Sequence, residues 1–201
     1  MFSKVLKSIS AVFAVLAVSI VGVIESGVIA ISVFLVVYLF IAQPHQVDGL
    51  SMFPTFHHAD FVLTDKVAYQ LHSPERGDVV VFHAPPQAQC PAGTGCDYIK
   101  RVIALPGDSV EVKNNVIYIN GQILQEPYLD STILTTPGAF SQNRVMKMRT
   151  DEYFVVGDNR PHSSDSRTWG PVTPKEIVGK VIFRYWPISS AQAITKPSYS
   201  L

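Results

Sequence analysis

Three stretches of this chain bring together side chains that can do chemistry. Ser51 stands in Asp48-Gly49-Leu50-Ser51-Met52-Phe53-Pro54-Thr55, a hydroxyl flanked by apolar residues, with Pro54 fixing the backbone just beyond it. Lys100 lies in the run from Asp97 to Asp108, where its same-face strand neighbours are Tyr98 and Val102. Such neighbours strip hydration from an ammonium and lower its pKa. A neutral lysine amine, ~2–3 units below its reference value, is a general base near pH 7–8. The third stretch, Gly157 to Gly170, packs Asp158, Asn159, Arg160, Ser163, Asp165 and Arg167 into one polar run. Asp165 with Arg167, and Asp158 with Arg160, are spaced to pair. Each stretch also has a plainer reading. Loop serines are mostly turn residues, strand-edge lysines mostly meet water, and polar runs are mostly solvated.

Although His57 and His58 lie close enough after Ser51 to suggest a Ser-His pair, common catalytic signatures do not occur in the sequence. It contains no H-E-x-x-H, no G-x-S-x-G, no S-x-x-K and no phosphate-cradling G-x-x-x-x-G-K-[ST]. The six histidines are scattered, and His57-His58 reads as a polar turn before Asp60. Two cysteines are too few for a disulfide scaffold or a four-cysteine zinc site. A formal net charge of zero argues against nucleic acid as a partner.

The elements that position these groups are mostly strands. Phe61–Thr64, Asp78–Phe82, Tyr98–Leu105, Ser109–Lys113, Val116–Ile119, Gln122–Leu124, Tyr153–Val156 and Val178–Trp186 carry strand patterns. Asp78–Phe82 is apolar enough to be buried on both faces. Asn114-Asn115 and Asn120-Gly121 are turn signals, the second the strongest for a hairpin. Thr173–Ile177 is the one helical hint, with Thr173 as cap and Pro174 at the first position. Residues 125–144 read as an excursion or long loop. The expected fold is mainly β, an antiparallel β-sheet catalytic domain behind an N-terminal transmembrane helical anchor.

From Ser8 to Ala42 the only charged residue is Glu25. About 20 apolar residues span a bilayer. The cleanest window runs from Val23 to Ala42, and a two-helix hairpin turning at Glu25-Ser26-Gly27 is the alternative. Lys4 and Lys7 precede the block, so the positive-inside rule places the N-terminus in the cytoplasm. One crossing then divides the chain into residues 1–42, a cytoplasmic stub and anchor, and residues 43–201, an extracytoplasmic domain. The block is longer than the ~7–15 apolar residues of a cleaved signal peptide. Cys90 and Cys96 enclose a short uncharged loop, where an oxidising compartment favours a disulfide over two plain thiols.

Taken together, the three stretches resemble the boxes of type I signal peptidases, the bacterial leader peptidases. The matches are S-M-x-P-T at Ser51–Thr55, Y-I-K-R-V-I-x-L-P-G-D at Tyr98–Asp108 and G-D-N-R-x-x-S-x-D-S-R-x-x-G at Gly157–Gly170. Their order and the preceding anchor match as well, over about residues 30–187. The resemblance implies Ser51 as nucleophile and Lys100 as general base, with Ser163 hydrogen-bonding the amine. It implies a supporting Asp165–Arg167 ion pair, with Asp158 in the same box, and the Ser51 N–H facing the oxyanion. One branch of the family carries a serine two positions before the nucleophile. Gly49 stands there, which leaves the second oxyanion donor among its backbone, a water, or none.

The substrate so implied is the signal peptide of an exported preprotein, cut after a small-x-small site. Asp97–Lys100 is the strand edge that would bind it, Tyr98 and Ile99 would line its pockets, and Met52 would stand among the substrate-binding residues. Leu50, Met52 and Phe53 either dip into the lipid interface or pack in the core. The implied setting is a bacterial inner membrane, the partners preproteins and the lipid bilayer, with no metal or organic cofactor. A family member dedicated to one secretion or conjugation substrate, and a non-catalytic signal-peptide-binding module, are the other readings. A self-cleaving repressor shares the chemistry, but the hydrophobic N-terminus leaves no room for its DNA-binding domain.

Overall fold

The structure is a computed structural model that describes residues 2–88 and 96–199, with the backbone alone over 2–15. The chain divides into two compact units, Met1–Ile41 and Ala42–Leu201. In the first, helix α1 (Phe2–Val36) runs on through wider helical turns at Val37–Ile41. Its Val18–Ile41 stretch has a mean hydropathy of 2.5, and its length and composition suffice to cross a membrane. No turn forms at Glu25-Ser26-Gly27, so the hairpin alternative is not adopted. Ser26 Oγ donates instead to the Gly22 carbonyl, within the helix.

The second unit is built of two antiparallel sheets. Its strands are β1 (Ala42–Gln46), β2 (Phe61–Asp65), β3 (Val79–His83), β4 (Asp97–Ala104), β5 (Ser109–Lys113), β6 (Val116–Ile119), β7 (Gln122–Ile123), β8 (Met146–Lys147), β9 (Phe154–Val156), β10 (Ile177–Trp186) and β11 (Gln192–Ala193). The large sheet has the order β1-β2-β10-β3-β4-β9, with β11 on β10. The small sheet has the order β7-β6-β5-β8.

Strand β3 is buried at Val79, Val80, Val81 and Phe82, as a two-faced apolar run demands. One of its faces packs on Val47, Met52, Phe56, Val62 and Val181. The other packs on Val102, Tyr153, Val155, Trp169 and Val172. The chain leaves β4 at Pro106-Gly107 and enters the small sheet. There Asn120 and Gly121 both have positive φ, the backbone a two-residue hairpin needs.

The structure departs from the sequence expectations in three places. Thr173–Ile177 is a turn: the Glu176 carboxylate accepts from the Thr173 N–H at 2.7 Å, and Ile177 already opens β10. Ala42–Gln46 is a strand, where the sequence pattern assigns no element. Pro44 is tolerated in it because β1 is an edge, paired among the described residues with β2 alone. Two four-residue helices, α2 (Ala68–Leu71) and α3 (Ser166–Trp169), are too short for a periodic signal.

Candidate active site

Ser51 is presented by a series of tight turns from residue 49 to 56. The Phe53 N–H donates to the Leu50 carbonyl, and the Phe56 N–H to the Met52 carbonyl. Met52 and Phe56, one helical turn apart, are both buried and anchor these turns in the core, while Leu50 and Phe53 stay exposed. Met52 is therefore not a wall of the cleft. It holds the Ser51 loop down from below. Arg184 in β10 braces the loop further, donating to the Thr55 carbonyl and to Asp60 Oδ2, each at 3.0 Å.

Lys100 sits in the middle of β4, opposite Val80 in β3, and is 4% exposed. Its Nζ donates to Ser51 Oγ at 2.8 Å and to the Ile99 carbonyl at 2.9 Å. Burial lowers its pKa to about 8, although Asp165 and Asp158 favour the charged form; Arg167 adds to the lowering. An amine so tuned and so placed can accept the hydroxyl proton of Ser51 near neutral pH.

Ser51 and Lys100 line a cleft of ≈ 220 Å³. Tyr98, Ile99 and Asp97 form one wall, and His45, Gln46, Val47 and Asp48 contribute to the lining as well. Strand β9 pairs only with Arg101–Ala104. Among the described residues, the outer edge of Asp97–Lys100 thus has no partner strand, and an extended chain can pair there.

The third stretch forms a buried polar frame. The Asp165 carboxylate takes a two-pronged grip from Arg167, at 2.8 and 2.7 Å, and also accepts the Gly157 N–H at 3.1 Å. Asp158 does not pair with Arg160. It accepts Nε and Nη2 of Arg101 at 2.9 and 2.6 Å, and the Thr55 hydroxyl at 2.5 Å. Arg160 turns the other way, to Glu126 and Thr135 Oγ1 of the 125–144 excursion. The Tyr128 ring of that excursion stacks on the Arg101 guanidinium at 4.1 Å. The excursion carries no strand or helix and is held by these contacts.

Ser163 differs from the expectation too. Its Oγ is buried against Gly157 and has no hydrogen-bond partner among the described residues, so the second bond of the Lys100 amine goes to the Ile99 carbonyl instead. The Gly49 N–H donates to His58 Nδ1 at 3.2 Å, which engages that candidate oxyanion donor. Cys96 is disulfide-bonded, while Cys90, the expected partner, lies outside the described residues. Among the described residues no cluster of histidine, cysteine and carboxylate side chains could hold a metal ion.

Asn159, to which the sequence assigns no separate role, is a positioning group. Its N–H donates to the Ser51 carbonyl and its Nδ2 to the Leu50 carbonyl, both at 3.0 Å. It thereby ties the Ser51 turn to the polar frame. Its place inside the third motif was the only available signal.

The sequence profile of the family described as "Signal peptidase, peptidase S26" matches residues 20–186. The chain belongs to this signal peptidase family. Membership makes it a serine peptidase, a hydrolase of peptide bonds that processes signal peptides. Probable signal peptidase I-1 of Synechocystis sp. is 38% identical over 162 residues, 80% of each chain. Signal peptidase IB of Staphylococcus aureus is 37% identical over 180 residues, 83% of this chain and 89% of that one. A crystal structure of a signal peptidase I from Enterococcus faecalis V583 covers 54% of this chain and 97% of that one, at 31% identity and a TM-score of 0.42.

Proposed function

We propose that this signal peptidase cuts exported preproteins with a Ser51–Lys100 dyad, from a domain anchored by the N-terminal helix. The observation that carries the reading is the 2.8 Å contact between Lys100 Nζ and Ser51 Oγ inside the cleft.

With Lys100 neutral, the Ser51 hydroxyl donates to the amine. Ser51 Oγ attacks the scissile carbonyl carbon as its proton passes to Lys100. The Ser51 N–H faces the developing oxyanion. The tetrahedral intermediate collapses, the C–N bond breaks, and the Lys100 ammonium protonates the leaving amine, which becomes the mature N-terminus. Water then attacks the acyl ester. Lys100 takes its proton and returns it to Ser51 as the signal peptide's carboxylate leaves. Asp165, Arg167 and Asp158 set the frame beneath, and Ser163 packs at its edge.

The substrate lies extended along Asp97–Lys100, with Tyr98 and Ile99 beside the side chains that precede the cut. Small residues one and three positions before the cut fit a narrow cleft. The N-terminus is cytoplasmic and residues 43–201 are extracytoplasmic at the bacterial inner membrane, as the lysines before the helix direct.

The test is cleavage of an exported preprotein by wild type, Ser51→Ala and Lys100→Ala, each checked for folding. The expected result is a cut after a small-x-small site by wild type and a loss of at least ~10³-fold in both variants. A folded Lys100→Ala variant that cuts at the normal rate overturns the base assignment.

A further inference from the structure

The walls of the cleft come from strands far apart in the sheet. β1 and β4 are separated by β2, β10 and β3. They nevertheless approach at one point: His45 Nε2 of β1 stands 3.8 Å from Asp97 Oδ2 of β4. Both residues line the cleft. Each is held from behind on its own side, His45 Nδ1 by Thr64 Oγ1 at 3.0 Å and Asp97 Oδ1 by His83 Nδ1 at 2.7 Å. Nε2 itself is buried without a hydrogen-bond partner among the described residues. A buried polar atom in that state, poised short of a carboxylate, marks a contact that can close.

The position of this contact matters for a bound peptide. Strands rise ~3.3 Å per residue, so Asp97 lies ~10 Å along β4 from Lys100. An extended substrate paired on this edge, with its scissile carbonyl at Ser51, places the first and third side chains before the cut on one face. The third side chain, ~6.6 Å back from the first, then lies towards the end of the cleft that His45 and Asp97 line.

We propose that His45 and Asp97 form a latch across the substrate cleft, whose closure limits the side chain accepted three positions before the cut. The proposal rests on the peptidase reading above. Protonated His45 is a charged donor, and a charge-assisted hydrogen bond to Asp97 would close at ~2.7–2.9 Å, about 1 Å tighter than at present. Asp97 and the backbone of Gln43 favour the proton on His45, and Lys66 and His83 oppose it. Burial opposes it most, and His45 titrates below its ordinary value. The latch is accordingly open at neutral pH and closes on acidification.

The experiment sets two peptides in competition in one tube, identical except for alanine or valine three positions before the cut. Both use the same Ser51 and Lys100, so the fraction of active dyad cancels from their ratio of kcat/KM. For wild type the preference for alanine should rise at least threefold from pH 8 to pH 5. In His45→Ala and in Asp97→Asn, each checked by thermal melting, it should be flat with pH, and in His45→Ala lower throughout. A wild type that cuts, but with a preference flat in pH, overturns the latch, even where His45→Ala changes the ratio and shows His45 to be a plain wall. A variant that keeps the wild-type pH dependence overturns it as well. A wild type that cuts neither peptide overturns the peptidase reading, and the latch with it.

Discussion

Asp158 closes a two-pronged ion pair on Arg101, the residue after Lys100, while Arg160, two positions further along the chain, pairs with Glu126. Neighbouring strand residues point to opposite faces, so Arg101 leaves the face that Lys100 occupies and reaches the frame behind it. The strand that carries the amine is thereby bolted to the stretch that carries Ser163 and Asp165. Thr55, four residues past Ser51, hydrogen-bonds the same carboxylate.

That bolt is buried, with Arg101 and Asp158 both nearly inaccessible. Removing one partner of a buried pair strands the other's charge, at a cost of ~3–5 kcal/mol. Asp158→Ala should lower the Tm by roughly 6–20 °C. Arg101→Lys should not substitute, because an ammonium cannot reproduce the planar fork. Thermal melts of the two variants check both statements. An Asp158→Ala protein that melts with the wild type would show the pair to be idle.

Lys100 yields a paired prediction on rate and stability. Only the neutral amine accepts a proton, so kcat/KM should climb tenfold per pH unit below about 8 and level off above it. Stability follows from the same shift. The folded pKa lies below the unfolded value of 10.5, so between the two pH values the unfolded chain binds the extra proton and the fold gains stability as pH rises. Below about 8 the buried ammonium costs the fold ~3 kcal/mol. Lys100→Met should then be inactive yet more stable than wild type at pH 7, with the advantage fading as pH rises from 8 towards 10.5. Denaturant titrations at pH 7 and 10 measure it.

The excursion at 125–144 should loosen when one carboxylate is removed. Glu126 meets the guanidinium of Arg160, which is 1% exposed. Glu126→Ala leaves that cation unpaired and frees the segment it ties down. Hydrogen exchange should quicken at Thr135, whose N–H donates to the Asn115 carbonyl, before it quickens in β3 or β4. Uniform exchange across all three would place the segment inside the cooperative core.

Most strands were legible because a buried face imposes a period of two, and both hairpins because Asn114-Asn115 and Asn120-Gly121 adopt backbones few other pairs tolerate. Edge strand β1 was not, since Pro44 reads as a break and only the register with β2 reveals pairing. At the site, Ser51 and Lys100 could be picked out through their motifs. The partner of Asp158 could not: Arg160 is near in sequence, whereas Arg101 comes from a strand 57 residues away. Long-range pairing also put Met52 in the core and turned Ser163 towards Gly157, and no local pattern encodes either.

Gly157 supplies the sharpest test of how tightly the frame grips Ser51. A Cβ there would lie 2.2 Å from Ser163 Oγ and 2.5 Å from the Ser51 carbonyl oxygen. The first neighbour is a hydroxyl that can turn away. The second is backbone, already fixed by the Asn159 N–H at 3.0 Å, so it moves only if the Ser51 turn moves. A displacement of about 1 Å at the reacting group costs ~10²-fold in rate. Gly157→Ala should therefore lose kcat by roughly that factor, with KM little changed because the Asp97–Lys100 edge is intact. Adding Ser163→Gly relieves only the first clash, so the double variant should remain slow. Full recovery in the double variant would mean that Ser163, and not the Ser51 backbone, is what Gly157 must accommodate.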